Sequence, residues 1–307
     1  MEALIANIQH FNMFDGNGLR TIVFFQGCNL RCKWCQNPEM ISKQATMVYD
    51  KKLCVSCGAC IDICKSGALR LLDGKIHFSV NDCNQCKKCE TECYYLARRF
   101  SSRILSLEQV YNEVVKDKCF YGEDGGVTLS GGEPLLSAEF VRALCKQLKN
   151  SSINVVLETA GFVPWKSIQN CLMYIDTFFY DLKLISEEKR KLYLGTTSDL
   201  MLDNLRKLAK TSAHIVIRIP LIPNVNDTDE EFLKMMEFIE GLGTVKNIHI
   251  LPFHQMGAAK YEMVGMPYDF LEVSVQDEVR VEKCLKLAQQ YGFCVTVGGD
   301  SYYEFGK

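Results

Sequence analysis

Eleven of the sixteen cysteines in this 307-residue chain fall into three tight groups, and nothing else in the sequence restricts its folding so strongly. Cys28, Cys32 and Cys35 form the first group. Cys54, Cys57, Cys60 and Cys64 form the second, and Cys83, Cys86, Cys89 and Cys93 repeat that spacing 29 positions later. Ala68 and Ala97 keep the same offset. In a short secreted chain such thiols would make a disulfide framework, but this chain is too long for that reading. Its first ten residues also lack the charged-then-apolar layout of an export signal. In a reducing compartment, clustered thiols bind metal. The five scattered cysteines, Cys119, Cys145, Cys171, Cys284 and Cys294, are expected to be small buried hydrophobes.

Composition sets the remaining limits. An apolar content of 48% with 23% charged residues is ordinary for a globular protein, and a net charge of −2 offers nothing to nucleic acid or an anionic membrane. No apolar run approaches the roughly 20 residues of a membrane span. A cytoplasmic location is expected. Residues 54–97 carry little helical or strand periodicity, so bound metal must supply stability that a small core cannot. They are expected to form an insert over 50–98, interrupting a unit made of 1–49 and 99–307.

Outside that stretch, apolar β-branched runs at 21–25, 127–129, 153–157, 175–180, 215–219, 248–251 and 294–297 alternate with helical patterns. Ser106-Leu107-Glu108-Gln109 reads as a capping box, Ser137 as a second cap, and 199–210 and 228–241 as two more helices. Repeated strand–helix units imply a parallel sheet, open or curled into a full or partial barrel. In such folds the active site gathers at the carboxyl ends of the strands. Cys28 follows the first strand and Gly131-Gly132-Glu133 the second. Glu158-Thr159 ends the third, Asp181-Leu182-Lys183 the fourth, Arg218 the fifth, and His254 follows the sixth. All fall on one rim.

Three thiolates within eight residues can hold three irons of a cubane and leave the fourth without a protein ligand. An open position of this kind marks a catalytic metal site. The alternatives are zinc with a distant fourth ligand, or three buried cysteines. Two glycines before Glu133 allow close backbone approach to a ligand, and the carboxylate can pair with an ammonium. Asp181 and Lys183, two apart at a strand end, can point to one face. His10, His77, His214 and His249 lack supporting context and are expected to be structural or exposed.

Cys28-Asn29-Leu30-Arg31-Cys32-Lys33-Trp34-Cys35 resembles the signature of the radical S-adenosylmethionine (SAM) superfamily. The resemblance implies that an open iron chelates the amine and carboxylate of SAM, which is cleaved to methionine and a 5′-deoxyadenosyl radical. It also implies cofactor contacts from Trp34, Cys35, Gln36, Gly131, Gly132, Glu133, Glu158, Thr159, Asp181, Leu182, Lys183, Arg218 and His254, with a monovalent cation as a further ligand near Glu158 or Asp181. The two cysteine runs resemble a bacterial two-cluster ferredoxin, in which the fourth cysteine of each run ligates the other cluster. One [4Fe–4S] cluster would then use Cys54, Cys57, Cys60 and Cys93, and the other Cys83, Cys86, Cys89 and Cys64, making three with the Cys28 group. The proline that usually follows the fourth cysteine is replaced by Lys65 and Tyr94.

A sharper resemblance lies upstream. Ile8-Gln9-His10-Phe11 and Phe14-Asp15-Gly16-Asn17-Gly18-Leu19-Arg20, together with Cys35-Gln36-Asn37-Pro38-Glu39 and Leu251-Pro252-Phe253-His254, are similar to activases of glycyl radical enzymes. What this implies is an α/β fold, a partial (β/α)6 radical SAM barrel with an inserted ferredoxin-like two-cluster domain. It also implies hydrogen abstraction from a glycine of a partner enzyme, Asp15 contacting that glycine loop, and flavodoxin or ferredoxin as electron donor. Two other readings compete: a radical SAM sulfatase or peptide maturase with auxiliary clusters, and a plain electron-transfer protein. The first usually carries its extra clusters after the barrel; the second leaves most of the chain unexplained.

Overall fold

A computed structural model describes residues 1–72 and 74–298; Asp73 and residues 299–307, the end of the expected second stretch of the barrel, lie outside the described residues. Its strands, in chain order, are β1 (Glu2–Asn12), β2 (Arg20–Phe25), β3 (Met47–Tyr49), β4 (Leu69–Leu72), β5 (Lys75–Phe78), β6 (Arg98–Phe100), β7 (Arg103–Ser106), β8 (Gly126–Gly131), β9 (Asn154–Thr159), β10 (Thr177–Asp181), β11 (Ile215–Leu221), β12 (Asn247–Pro252) and β13 (Cys294–Val297). One mixed nine-stranded sheet runs in the order β13-β12-β11-β10-β9-β8-β2-β1-β7. The seven strands from β13 to β2 are parallel, each the neighbour of the next in sequence order, and helices fill the crossovers between them. β1 and β7, which lie outside the seven apolar runs, add an antiparallel edge. The parallel sheet expected from the strand–helix repeat is therefore mixed, and the order of its strands is linear.

Side-chain alternation divides this sheet into two faces. Val155 and Leu157 of β9, Phe178 and Tyr180 of β10, and Ile215, Ile217 and Ile219 of β11 enter the main core against the helices. Burying each such side chain is worth about 1.5–3 kcal/mol. Their alternates Val156, Phe179 and Val216 form a separate small cluster. With a period of two, the same alternation puts Glu158, Asp181 and Arg218 on that second face. Arg218 is the fourth residue of β11, not its last, because the strand continues to Leu221. The Ser106–Gln109 capping box forms, and Thr228 caps the helix Asp229–Glu240. Ser137 makes no cap bond; a short turn at Pro134–Ser137 leads into the helix Ala138–Asn150 instead, with Glu133 accepting from the Leu135 N–H at 3.2 Å.

Residues 47–100 hold two further sheets, β3 with β6 and β4 with β5. Tyr49 pairs Arg98 as Phe78 pairs Leu69, and Val48 pairs Arg99 as His77 pairs Arg70, each half offset by 29 positions. The helices Ala59–Asp62 and Lys88–Thr91 keep that offset. So do the left-handed residues Ser56 and Gln85, Gly58 and Lys87, and Gly67 and Leu96. The backbone is thus an internal two-fold repeat around a core of little more than Ala45, Met47, Cys60, Leu69, Cys89 and Phe100.

The connection from β1 to β2 carries Asp15 and is locked by Arg20, which is 1% exposed. Its guanidinium donates to Thr128 Oγ1 at 2.8 Å and to the Asn17 and Asp124 carbonyls at 3.0 and 3.2 Å. Thr128 in turn donates to the Asp15 carbonyl at 2.7 Å. Gly18 has φ +66°, and a Cβ there would lie 2.5 Å from the Gly125 nitrogen, so the motif's glycine is a steric requirement. Thr128→Val keeps the shape of the side chain while removing an acceptor from Arg20 and a donor from Asp15. It should cost about 1–3 kcal/mol in urea unfolding, and an unchanged midpoint would show that the bond does not hold the loop.

Candidate active site

A cavity of about 360 Å³ opens on the second face of the sheet at the carboxyl ends of the parallel strands. That is within the roughly 300–1,000 Å³ usual for small-molecule sites. Cys28, Cys32 and Cys35 line it, with Asp15, Trp34, Gln36, Gly131, Gly132, Glu158, Thr159, Asp181, Lys183, Arg218 and His254. Of the residues singled out in the sequence for this site, Glu133 and Leu182 do not line it; both are buried.

The cysteine loop is held by backbone bonds. Arg31 and Lys33 N–H donate to the Leu194 and Tyr193 carbonyls at 3.0 Å each, and Cys28 N–H to Ile41 at 3.1 Å. Gln36 clips this loop to the strand end of β12, donating to the His254 carbonyl at 3.2 Å and accepting from Gly257 N–H at 2.9 Å. Trp34 packs edge-on to Phe270 at 6.0 Å between ring centres. Burial pushes the thiols of Cys28 and Cys32 up to about 12 and that of Cys35 up to about 11. Lys183 opposes that rise at all three. Lys183 binds Asp181 at 2.8 Å. Burial pulls the ammonium's pKa down, yet Asp181 and the thiols outweigh it and the net shift is upward.

Glu133, read in the sequence as a partner for an ammonium, faces inward. It accepts from Thr159 Oγ1 at 2.8 and 2.9 Å and from Ala160 N–H at 3.1 Å, and burial pushes it up to about 7. Arg218 bridges Asp15 and Glu158 at 3.1 Å each, with its guanidinium 5.1 Å from the Phe179 ring centre. Burial raises the Glu158 pKa and Arg218 counters it. His254 is held below its ordinary value by burial.

Several supporting residues gave no motif signal. Ser130 hydrogen-bonds Glu158. Asn226, 0% exposed, donates to the Lys183 carbonyl at 2.9 Å and to Pro220 at 2.7 Å. Glu231 accepts from the Ile185 and Ser186 amides at 2.8 and 3.0 Å, fixing the turn after Lys183. Of the histidines without context, His10 lies between Asp117 at 2.5 Å and Glu113 at 3.5 Å, His214 meets Thr177, His249 is buried edge-on to Phe179, and His77 is exposed. Among the scattered cysteines Cys145, Cys171 and Cys284 are buried as expected, but Cys119 and Cys294 are exposed.

The cofactor fit is tested by polar atoms the protein leaves unsatisfied. Asp181 Oδ1 and Arg218 Nε are buried without hydrogen-bond partners, both on residues lining the cavity. A ligand carrying donors and acceptors would satisfy them. In the repeat, Ser56 N–H points at Cys54 Sγ and Gln85 N–H at Cys83 Sγ, both at 3.4 Å, the kind of bond made to ligating sulfur. Among the described residues, no three His, Cys, Asp or Glu side chains converge on a point for a single metal ion.

The model of the radical SAM superfamily matches residues 22–239, and the chain belongs to that superfamily. It is 39% identical over 280 residues to the (2S)-3-sulfopropanediol dehydratase activating enzyme of Klebsiella oxytoca, covering 89% of this chain and 88% of the relative. It is 35% identical over 306 residues to the choline trimethylamine-lyase activating enzyme of Oleidesulfovibrio alaskensis, covering 96% and 98%. Within the superfamily, the chain belongs to the activating enzymes of glycyl radical enzymes. Streptococcus suis SuiB bound to precursor peptide SuiA shares the fold alone, with a TM-score of 0.55 and 11% identity over 90% of this chain and 47% of that one.

Burial pushes the Glu231 pKa up, but the Ser186 and Ile185 bonds outweigh it and the net shift is downward from 4.5. A carboxylate lowered on folding stabilises above its unfolded pKa and loses that contribution as pH falls through its folded one. Glu231→Gln should therefore destabilise most near pH 7 and progressively less below about pH 4.5. Thermal unfolding of both proteins across that range checks this, and a pH-independent difference would refute it.

Proposed function

We propose that this chain cleaves SAM reductively and removes a Cα hydrogen from a glycine of a partner glycyl radical enzyme. What carries the reading is one cavity lined by the three grouped thiols together with Lys183, Asp181, Arg218 and Asp15. Bound SAM, with a [4Fe–4S] cluster at Cys28, Cys32 and Cys35, supplies the 5′-deoxyadenosyl radical. Lys183 meets the carboxylate end of the cofactor. Trp34 flanks the adenine, and Gly131 and Gly132 let the backbone close on it. Arg218 and His254 serve the carboxylate and ribose, and Gln36 shapes the wall, with Leu182 packed in the core behind it. Asp181 Oδ1, with no partner of its own, and Glu158-Thr159 are the places for a monovalent cation. Asp15 meets the partner's glycine loop, oriented by Arg218.

Residues 50–98 form, on this reading, a ferredoxin-like insert with two [4Fe–4S] clusters, one on Cys54, Cys57, Cys60 and Cys93, the other on Cys83, Cys86, Cys89 and Cys64. The unit of 1–49 and 99–307 is the barrel. A second groove of about 1120 Å³ supports an electron relay: Cys54 and Cys83 line it together with Arg31, Pro38 and Ile41 of the segment carrying the cysteine triad. Cys57 and Cys86 are exposed, where a flavodoxin or ferredoxin can dock. The described residues include no helix long and apolar enough to cross a membrane, and a cytoplasmic site of action is proposed.

Anaerobic mixing with SAM, reductant and a glycyl radical enzyme should give a glycine-centred doublet in electron spin resonance, absent with Cys32→Ala. Asp15→Asn should cut radical yield more than tenfold with SAM affinity within threefold; equal losses would remove Asp15 from the partner contact. Cys57→Ala and Cys86→Ala should spare SAM binding and slow turnover with a protein reductant. Undiminished turnover would rule out the relay.

A further inference from the structure

The two halves of residues 47–100 match in backbone and differ in charge. Arg98 is 2% exposed, and both of its terminal nitrogens are buried without a hydrogen-bond acceptor placed to take them. Its guanidinium lies 4.0 Å from the centre of the Tyr49 ring. In the other half, 29 positions back, the place of Arg98 is taken by Leu69, and that of Tyr49, 29 positions on, by Phe78. A cation and a hydroxyl in one half thus stand where the other has two apolar side chains.

Both groups face thiols. Arg98 approaches the Cys60 thiol closely, and its charge also reaches Cys89. The Tyr49 hydroxyl hydrogen-bonds the Cys54 thiol, and the two residues line one groove. Lys87, whose counterpart is Gly58, does not restore the balance. Its ammonium is spent on the Ser102 carbonyl at 2.9 Å, with the Phe100 ring centre 5.7 Å away.

A buried guanidinium with unused N–H groups is costly unless an anion lies beside it. A cluster ligated by four thiolates is such an anion, and taking up one electron makes it more negative. A nearby cation and donors to its sulfurs stabilise the reduced form and raise the potential. We propose that Arg98 and Tyr49 hold the cluster of Cys54, Cys57, Cys60 and Cys93 at a higher reduction potential than its repeat partner, so that it accepts the first electron to enter the segment. This rests on the two-cluster reading above. It adds a direction to the relay: the symmetric scaffold supplies two similar sites, and a single arginine with its aromatic neighbour ranks them.

The test is a potentiometric titration of the reconstituted full-length protein, reduced in steps with dithionite and followed by electron spin resonance. Added SAM identifies the barrel cluster by perturbing its signal, and the two unperturbed waves belong to the insert. Arg98→Leu, which copies Leu69, should lower the upper wave by at least tenfold in its reduction equilibrium, 59 mV for one electron, and leave the lower wave within threefold. Arg98→Lys should keep the upper wave within threefold of the parent. Tyr49→Phe, which copies Phe78, should lower the same wave by less. If Arg98→Leu loses its cluster, the Tyr49→Phe shift decides. An upper wave unmoved by Tyr49→Phe, or by Arg98→Leu where its clusters persist, overturns the proposal, as do equal shifts of both waves. Iron and sulfide for one cluster per parent chain would instead overturn the two-cluster reading itself.

Discussion

Arg218 is 7% exposed on the second face of β11, and a guanidinium placed there costs several kcal/mol unless anions lie in contact. Glu158 from β9 and Asp15 from the β1–β2 connection are those anions. The arrangement needs three things together. The strands must alternate so that Glu158 and Arg218 share a face; β9, β10 and β11 must keep their register; and the loop carrying Asp15 must be pinned from below. Arg20 and Thr128 do the pinning. A second cation, Lys183, repeats the pattern with Asp181 and the three thiols. The cavity is therefore a charged chamber whose walls balance one another, and the groups with unmet bonding capacity are the ones left to a ligand.

The supports of this chamber are less visible than its lining. Gln26, one residue past β2, donates its amide to the Glu39, Ser42 and Gln44 carbonyls at 2.9, 2.8 and 3.1 Å. Its oxygen accepts from Ser101, which takes the Thr46 N–H. One side chain thus closes the root of residues 47–100 onto the strand that leads to Cys28. Geometry at the thiol triad and geometry at the root of the repeat are coupled through it, so neither can shift alone.

The sequence disclosed the cysteine groups, the seven parallel strands and the rim residues because each is encoded locally, by short spacing or by apolar runs bounded by turns. What it hid is encoded by distance. Asp15 meets Arg218 across 203 positions, and Asn226 holds the Lys183 carbonyl from a loop 43 residues on. No window of sequence contains either pair. β1 escaped notice for another reason: only one of its faces is sealed, so Ala3 and Ile5 stand among half-exposed alternates and the run reads as mixed. Glu133 shows a third kind of limit. Its motif sits beside the cavity that Gly131 and Gly132 line, but which way the carboxylate turns depends on Thr159, at the end of the next strand, and the turn is inward.

The repeat shows why backbone symmetry does not imply functional symmetry. Its core is small, and chains of this size usually need a metal to fold. If the proposed clusters supply that stability, both halves must keep the left-handed positions and the inward N–H groups that a cluster loop requires, and selection on folding holds the two backbones alike. Leu96 and Lys87 are the measure of that pressure, since both adopt positive φ where their counterparts are glycines. Side chains facing the thiols are under no such constraint. Substituting a cation for a leucine in one half leaves the fold intact while changing the electrostatics seen by one set of ligands, so the two sites can diverge in potential without diverging in shape.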